Sequence, residues 1–276
     1  MGSATRGRYA KVRVDDFMVR QMADRFPLVD QYTAIRLGVN THHLRTGAVH
    51  IEECSRRLTR EMSYGFIHVF WWMDFGGEGS VISVPPGCRD LVSNIIGQDA
   101  KEPLPEKAMV DRLGAELNAY LSTTNGPCID RTFHDLVFAC DSQTLRSPQQ
   151  FASAIRIRGA EYSPAEGIGL PKHCFPDGIV YGVLQDQKVV SIAYAHRSGT
   201  MEDRIVDLGV ETAPAYRQRG YAKAAVAGVV SHICELGGEA RYGCAPSNLA
   251  SQATARAVGF LPYAQSLVLS ARESKG

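Results

Sequence analysis

Apolar positions in this chain switch between a two-residue and a helical rhythm, most clearly in its second half. Arg204 to Thr212 reads Arg-Ile-Val-Asp-Leu-Gly-Val-Glu-Thr. Its β-branched apolar positions predict a strand. Pro214 cannot donate to a ladder, so the strand ends before it. From Tyr221 to Leu236, Ala222, Ala225, Val226, Val229, Val230 and Ile233 recur at helical spacing, and Gly237-Gly238 stops the helix. Glu239 to Ala245 predicts a further strand, broken by Pro246, Ser247 and Asn248. Ser251 to Val258 then predicts a helix that ends at Gly259. Upstream, Gly178 to His196 carries two apolar runs around Asp186-Gln187, the pattern of a β-hairpin.

The first half is less regular. Residues 1–10 read as a flexible lead, and Phe17 to Arg25 and Ile51 to Glu61 have helical character. Gly65 to Phe75 is an aromatic, strand-like run that Gly76-Gly77 turns into a partner at Gly79 to Val84, before Pro85-Pro-Gly87. Arg89 to Ile96 and Glu106 to Leu121 predict helices, Phe133 to Cys140 a strand, and Pro148 opens another helix. The expectation is an α+β protein divided at 1–140 and 141–276. Strand, turn and helix recur at Val81 to Ile96, so the first part could be a degenerate second copy of the second. Its alternative is a substrate-recognition or dimerisation domain.

The turn from Arg217 to Gly220 falls at a helix N-terminus. Unpaired N–H groups there point outward and carry about half a positive charge, so an anion docks without a dedicated side chain. Gly220 removes a Cβ where a phosphate must approach, and Ala222 is nearly as small. Arg217 and Arg219 add forked donors suited to phosphate oxygens. The plainer reading is an ordinary βα turn with solvated arginines. Neither G-x-G-x-x-G nor G-x-x-x-x-G-K-[ST] occurs, so nothing here argues for a dinucleotide or ATP.

Taken together, Val210-Glu-Thr-Ala-Pro-Ala-Tyr-Arg217, Arg217-Gln-Arg-Gly220-Tyr-Ala222, and Asn248 followed eleven residues on by Gly259-Phe260 resemble the GNAT superfamily of acyl-CoA-dependent N-acyltransferases. The resemblance reaches back to about residue 145. It implies a GNAT-like central mixed sheet flanked by helices, with an N-terminal α+β domain added. It also implies acetyl-CoA or another acyl-CoA as co-substrate. Leu208, Val210, Thr212, Arg217, Gln218, Arg219, Gly220, Tyr221, Ala222, Asn248 and Ser251 would then hold that carrier, its pantetheine arm lying along Leu208 to Val210. Reaction would be direct attack of an amine on the thioester, with no covalent enzyme intermediate, and the Val210 N–H would meet the oxyanion.

One departure concerns the leaving thiolate. The family often protonates it from a tyrosine seven residues after the asparagine; here that residue is Ala255. Ser251 shares a helix face with Ala255 and could donate instead, or simply stabilise its helix. For the general base, Asp207 and Glu211 alternate with Val206, Leu208 and Val210 and so project from the opposite strand face. Tyr194 and His196 are further candidates. Gly159 to Asp177, rich in Gly and Pro, brings Glu161, Tyr162 and Glu166 as possible acceptor contacts or as a plain connector.

The chain has 276 residues, and its net charge of +1 gives no argument for a nucleic-acid or membrane partner. Seven scattered cysteines without a C-x-x-C pair fit reduced thiols and a cytoplasmic setting. His42-His43 and His50 lack zinc-site spacing, and no metal is expected. No apolar stretch nears the roughly 20 residues that span a bilayer. The expected reaction is acyl transfer, with acetyl-CoA as default donor, to the amine of a small molecule. Aminoacyl-tRNA-dependent transfer on the same fold and a CoA-binding regulatory module without turnover are the alternatives. A homodimer is open.

Overall fold

A computed structural model of the chain describes residues 25–60, 65–97, 104–146, 151, 153–159, 161–171, 178–196 and 204–272. The lead at 1–10, nearly all of Phe17 to Arg25, and the helix start at Pro148 lie outside these residues.

The described residues form an α+β fold around an eleven-stranded mixed sheet. The first half supplies α1 (Pro27–Leu37), β1 (Val49–Glu53), β2 (Phe66–Asp74), β3 (Ser80–Val84), α2 (Arg89–Ile96), α3 (Lys107–Ser122) and β4 (Ile129–Cys140). The second supplies β5 (Ile155–Arg156), β6 (Ser163–Pro164), β7 (Val180–Gln185), β8 (Lys188–His196), β9 (Ile205–Thr212), α4 (Tyr221–Glu235), β10 (Glu239–Cys244), α5 (Leu249–Val258) and β11 (Leu261–Arg272). The strand order is β1-β3-β2-β11-β4-β10-β9-β8-β7-β5, with β6 beside β8. The sheet is therefore continuous between the halves: β4 lies between β10 and β11, and β11 pairs in turn with β2.

Most of the expected elements form where the pattern places them. The hairpin β7–β8 turns at Asp186-Gln187, both at positive φ, as a tight two-residue turn requires. The aromatic run pairs with its partner as β2 and β3. One expectation is corrected, and one helix is new. Ile51 to Glu61 is not helical: it holds the end of β1 and a short 3-10 turn at Ser55–Leu58. The helix at Pro27–Leu37 went unpredicted. Pro27 opens it and Gly38 closes it in the left-handed region, but its buried positions include Asp30, Thr33 and Arg36, which hide the apolar rhythm.

Alternation along the strands sorts the core. Ala193, Ala195, Leu208, Val210, Phe138, Ala240 and Tyr242 pack with α4 and α5. Phe70, Trp72 and Leu267 continue that side beneath α2 and α3. On the other face Trp71, Met73, Val137 and Ala139 pack with α1.

Candidate active site

The strands β9 and β10 run parallel but pair only at Ile205–Glu239, Val206–Ala240 and Asp207–Arg241. Beyond that point each keeps its outer neighbour. β9 stays on β8 as far as Thr212, and β10 stays on β4 as far as Cys244. The sheet thus forks, leaving the facing edges of Leu208 to Thr212 and Tyr242 to Cys244 unpaired with each other. Leu208 and Val210 are only partly buried although their side chains face the core.

The fork is held at its base by an ion pair. Arg241 Nη1 donates to Asp207 Oδ1 at 2.5 Å, and Tyr32 Oη of α1 donates to Asp207 Oδ2 at 3.0 Å. Burial alone would raise the Asp207 pKa. The Arg241 charge and hydrogen bond, Arg36 and the Tyr32 hydroxyl outweigh it and hold the carboxyl below the usual Asp value. Asp207 is 7% exposed. A base must be reachable and free to take a proton, and this carboxylate is enclosed and engaged.

Past the end of β9 the chain enters the predicted cradle. Gln218 and Gly220 both adopt positive φ, at 62° and 81°. Gly220 is the N-cap of α4, with no side-chain cap bond and no acidic residue in the first turn. The main-chain N–H groups of Gln218 to Lys223 donate to no acceptor among the described residues. Residues 217–220 are exposed, and a Cβ on Gly220 would meet nothing within 4 Å. Arg217 Nε donates to the Thr212 carbonyl at 3.2 Å, and the Arg219 guanidinium lies 5.4 Å from the Tyr216 ring centroid. The turn therefore presents a row of free N–H groups, with two guanidiniums beside it, at the open end of the fork. Thr212 closes β9, its hydroxyl 2.8 Å from that of Ser191.

On the other side of the fork, Asn248 caps α5: its Oδ1 accepts from the Ser251 N–H at 3.1 Å. The Ser251 hydroxyl shares a 3.0 Å hydrogen bond with Tyr242 Oη. Tyr242 follows Arg241 directly, so it is the first residue of β10 past the paired stretch. Burial pushes its phenol pKa up, with the Ser251 hydrogen bond opposing. Ala255 is fully buried against the same core. The sequence did not single out Tyr242, which has no motif of its own; its meaning comes from the register.

Glu211 lies one residue before the end of β9, on the face away from α4. It is exposed, and its Oε2 accepts the Gly169 N–H at 3.4 Å. That bond ties the 161–171 segment to the strand end, beside Pro214, which leaves no room for a Cβ at Gly167. Glu161 and Glu166 are exposed and Tyr162 is partly buried. Tyr194 lies opposite Gly209, where a Cβ would come within 2.5 Å of its ring. His196 closes β8. Of the histidines set aside as zinc ligands, His43 stacks on His50 with ring centroids 4.5 Å apart. Among the described residues no group of three or more His, Cys, Asp or Glu is placed to hold a metal ion, and no helix is long and apolar enough to cross a membrane.

Comparison with known proteins follows the same outline. Residues 141–261 match the family model described as the acetyltransferase (GNAT) domain. No curated protein matches the chain by sequence. Among solved structures, a GNAT-family protein from Novosphingobium aromaticivorans DSM 12444 aligns at 18% identity and a TM-score of 0.42, over 53% of this chain and 67% of its own. A GCN5-related N-acetyltransferase from Kribbella flavida aligns at 19% identity and a TM-score of 0.39, over 56% and 64%. A tandem GNAT protein from the clavulanic acid biosynthesis pathway aligns at 10% identity and a TM-score of 0.38, over 55% and 57%. The chain thus spans between about three-fifths and two-thirds of the length of these structures.

Proposed function

We propose that the chain is an N-acyltransferase that moves an acyl group, acetyl by default, from acyl-CoA to the amine of a small molecule by direct attack. The observation that carries this reading is the fork between β9 and β10 opening onto the uncapped N-terminus of α4. A diphosphate would rest on the N–H groups of residues 218–222 with Arg217 and Arg219 beside it. A pantetheine arm would then run along the free edge of Leu208 to Val210 and carry the thioester into the fork. The Val210 N–H would face the carbonyl oxygen as it gains charge.

Departure of the thiolate is served by Ser251. Its hydroxyl is oriented by Tyr242 Oη and lies on the partly exposed first turn of α5. Thus Ala255 need not carry a hydroxyl for one to stand at this side of the fork. The acceptor approaches from the face opposite α4, which Glu211 borders. There the exposed Glu211 attracts an ammonium while its bond to Gly169 fixes the adjoining segment. Asp207 has a positioning role, holding Arg241 at the base of the fork.

The test is release of free CoA thiol from acetyl-CoA over a panel of small amines, with mass spectrometry of the products. Amine-dependent thiol release and an acylated amine are expected. Binding of CoA without turnover on any amine would favour the regulatory reading. Transfer only from charged tRNA would move the donor.

A further inference from the structure

The acceptor face of the fork holds a carboxylate outside the residues that match the family. Gly243 lies in a central strand, between β4 and β9, yet it is exposed, and a Cβ there would meet nothing within 4 Å. An opening in the middle of a sheet face is a cleft. Its inner end is closed by the Arg241–Asp207 pair, bonded to Tyr32 of α1. One side is walled by the Tyr194 ring over Gly209. On the other side stands β4.

Strand register places Asp135 on this wall. Cys244 pairs with Leu136, so Asp135 is level with Ala245, one residue past β10. The pairing of Asp207 with Arg241 puts Glu211, four residues on, at about that same height on β9. Leu136 and Phe138 face the core under α4 and α5, whereas Val137 and Ala139 face the α1 side. Alternation therefore puts Asp135 on the α1 side, with Arg241 and Gly243. A strand spacing of about 4.8 Å sets it roughly one strand width from the fork. The two carboxylates Asp135 and Glu211 border the cleft from opposite sides.

Asp135 differs from the structural carboxylates around it. Asp207 and Asp30 are tied by hydrogen bonds to buried tyrosines and arginines. Asp135 is only partly buried and accepts no hydrogen bond among the described residues. Burial raises its pKa above the usual Asp value, against the pull of Arg241 on β10 and of neighbouring His134, with Asp207 on β9 adding to the rise. Burial pushes up the thiol pKa of Cys244, on the other face of β10, and the Asp135 charge adds to the rise.

We propose that Asp135, supplied by the first half of the chain, is the general base that takes the proton from the acceptor amine. The proposal rests on the acyl-transfer reading above. The amine nitrogen forms the C–N bond with the thioester carbon, and the carbonyl electron pair moves to oxygen. Asp135 takes the N–H proton. The C–S bond then breaks with its electron pair on sulfur, which is protonated through Ser251 or solvent. The neutral Asp135 returns its proton to water.

The experiment compares the wild type with Asp135→Asn, Asp135→Glu and Glu211→Gln, using one accepted amine and acetyl-CoA across pH. In the wild type kcat falls on the acid side, with a midpoint above the ordinary Asp range. Asp135→Asn lowers kcat 100-fold or more, the scale of lost general-base catalysis. It removes that acid limb and leaves acetyl-CoA affinity within threefold, which also shows that the variant is folded. Asp135→Glu restores part of the rate. Glu211→Gln raises KM for the amine and keeps the limb. The loss in Asp135→Asn shrinks for weakly basic amines, which arrive neutral. An Asp135→Asn enzyme that keeps kcat within threefold, or keeps the acid limb, overturns the assignment while leaving acyl transfer intact. A wild type inactive on every amine overturns both.

Discussion

Replacing Gly243 by leucine separates the cost of folding from the cost of function. Gly243 is in β10, has no positive φ, and a Cβ on it would meet nothing within 4 Å. The backbone therefore has no need of glycine here. Filling a strand glycine reduces the entropy of the unfolded chain by about 0.5–1 kcal/mol. The leucine should leave unfolding free energy equal to the wild type or higher by up to about 1 kcal/mol, read by urea titration. Its four side-chain carbons would occupy the cleft between Tyr194 and β4. The structure then predicts that kcat/KM for the amine falls about 100-fold or more, equivalent to about 2.7 kcal/mol of transition-state stabilisation. The CoA dissociation constant should change by less than threefold, because the cradle lies beyond the end of β9. A variant destabilised by more than about 2 kcal/mol would mean that the face over Gly243 is packed. Wild-type kcat/KM would mean that the acceptor enters elsewhere. Either result refutes the reasoning.

Gly220→Glu should abolish CoA binding, measured by calorimetry, by placing charge and bulk at the helix start. Gly220→Ala carries the same positive-φ penalty, about 1 kcal/mol, and should keep most of the affinity. Asp207→Leu should cost about 3–5 kcal/mol of unfolding free energy, because the Arg241 charge would be left buried without its counterion. Asp207→Leu with Arg241→Met should recover much of it in the same titration, and additive losses would contradict a coupled pair. His68 is buried, 2.7 Å from Ser270 Oγ, and burial with nearby Arg36, Arg57 and Arg241 lowers its pKa to about 3. The unfolded chain takes up this proton near pH 6.5 and the folded one only near 3. Stability should therefore fall as pH drops from about 6.5 to about 3, by up to about 5 kcal/mol from this group. His68→Asn should flatten that slope, and an unchanged slope would exclude the histidine.

The strand, turn and helix around Gly220 were legible in the sequence because they are local. A strand, a proline, a glycine at positive φ and an apolar helix follow one another between Arg204 and Leu236, and short-range sterics decide each. The hairpin at Asp186-Gln187 was legible for the same reason. The acceptor side was not. Asp135 stands beside the fork only because β4 enters the sheet between β10 and β11, and no spacing rule connects it to Gly243 more than a hundred residues later. Tyr242 likewise gains its partner Ser251 from the packing of β10 against α5. The helix α1 was hidden because its core-facing side carries Asp30, Tyr32 and Arg36. Their burial is compensated by partners distant in sequence: Tyr263 and Arg45 for Asp30, and Asp207 for Tyr32. Asp207 itself alternates onto the strand face that suits a base, and only its tertiary partners reveal the ion pair.

The most direct measurement of the central claim is a crystal structure of the chain soaked with acetyl-CoA. The account predicts the diphosphate on the main-chain N–H groups of residues 218–222 and the pantetheine arm between β9 and β10, with its sulfur near Ser251. Ordered acetyl-CoA at any other place, with that turn bare, would contradict it.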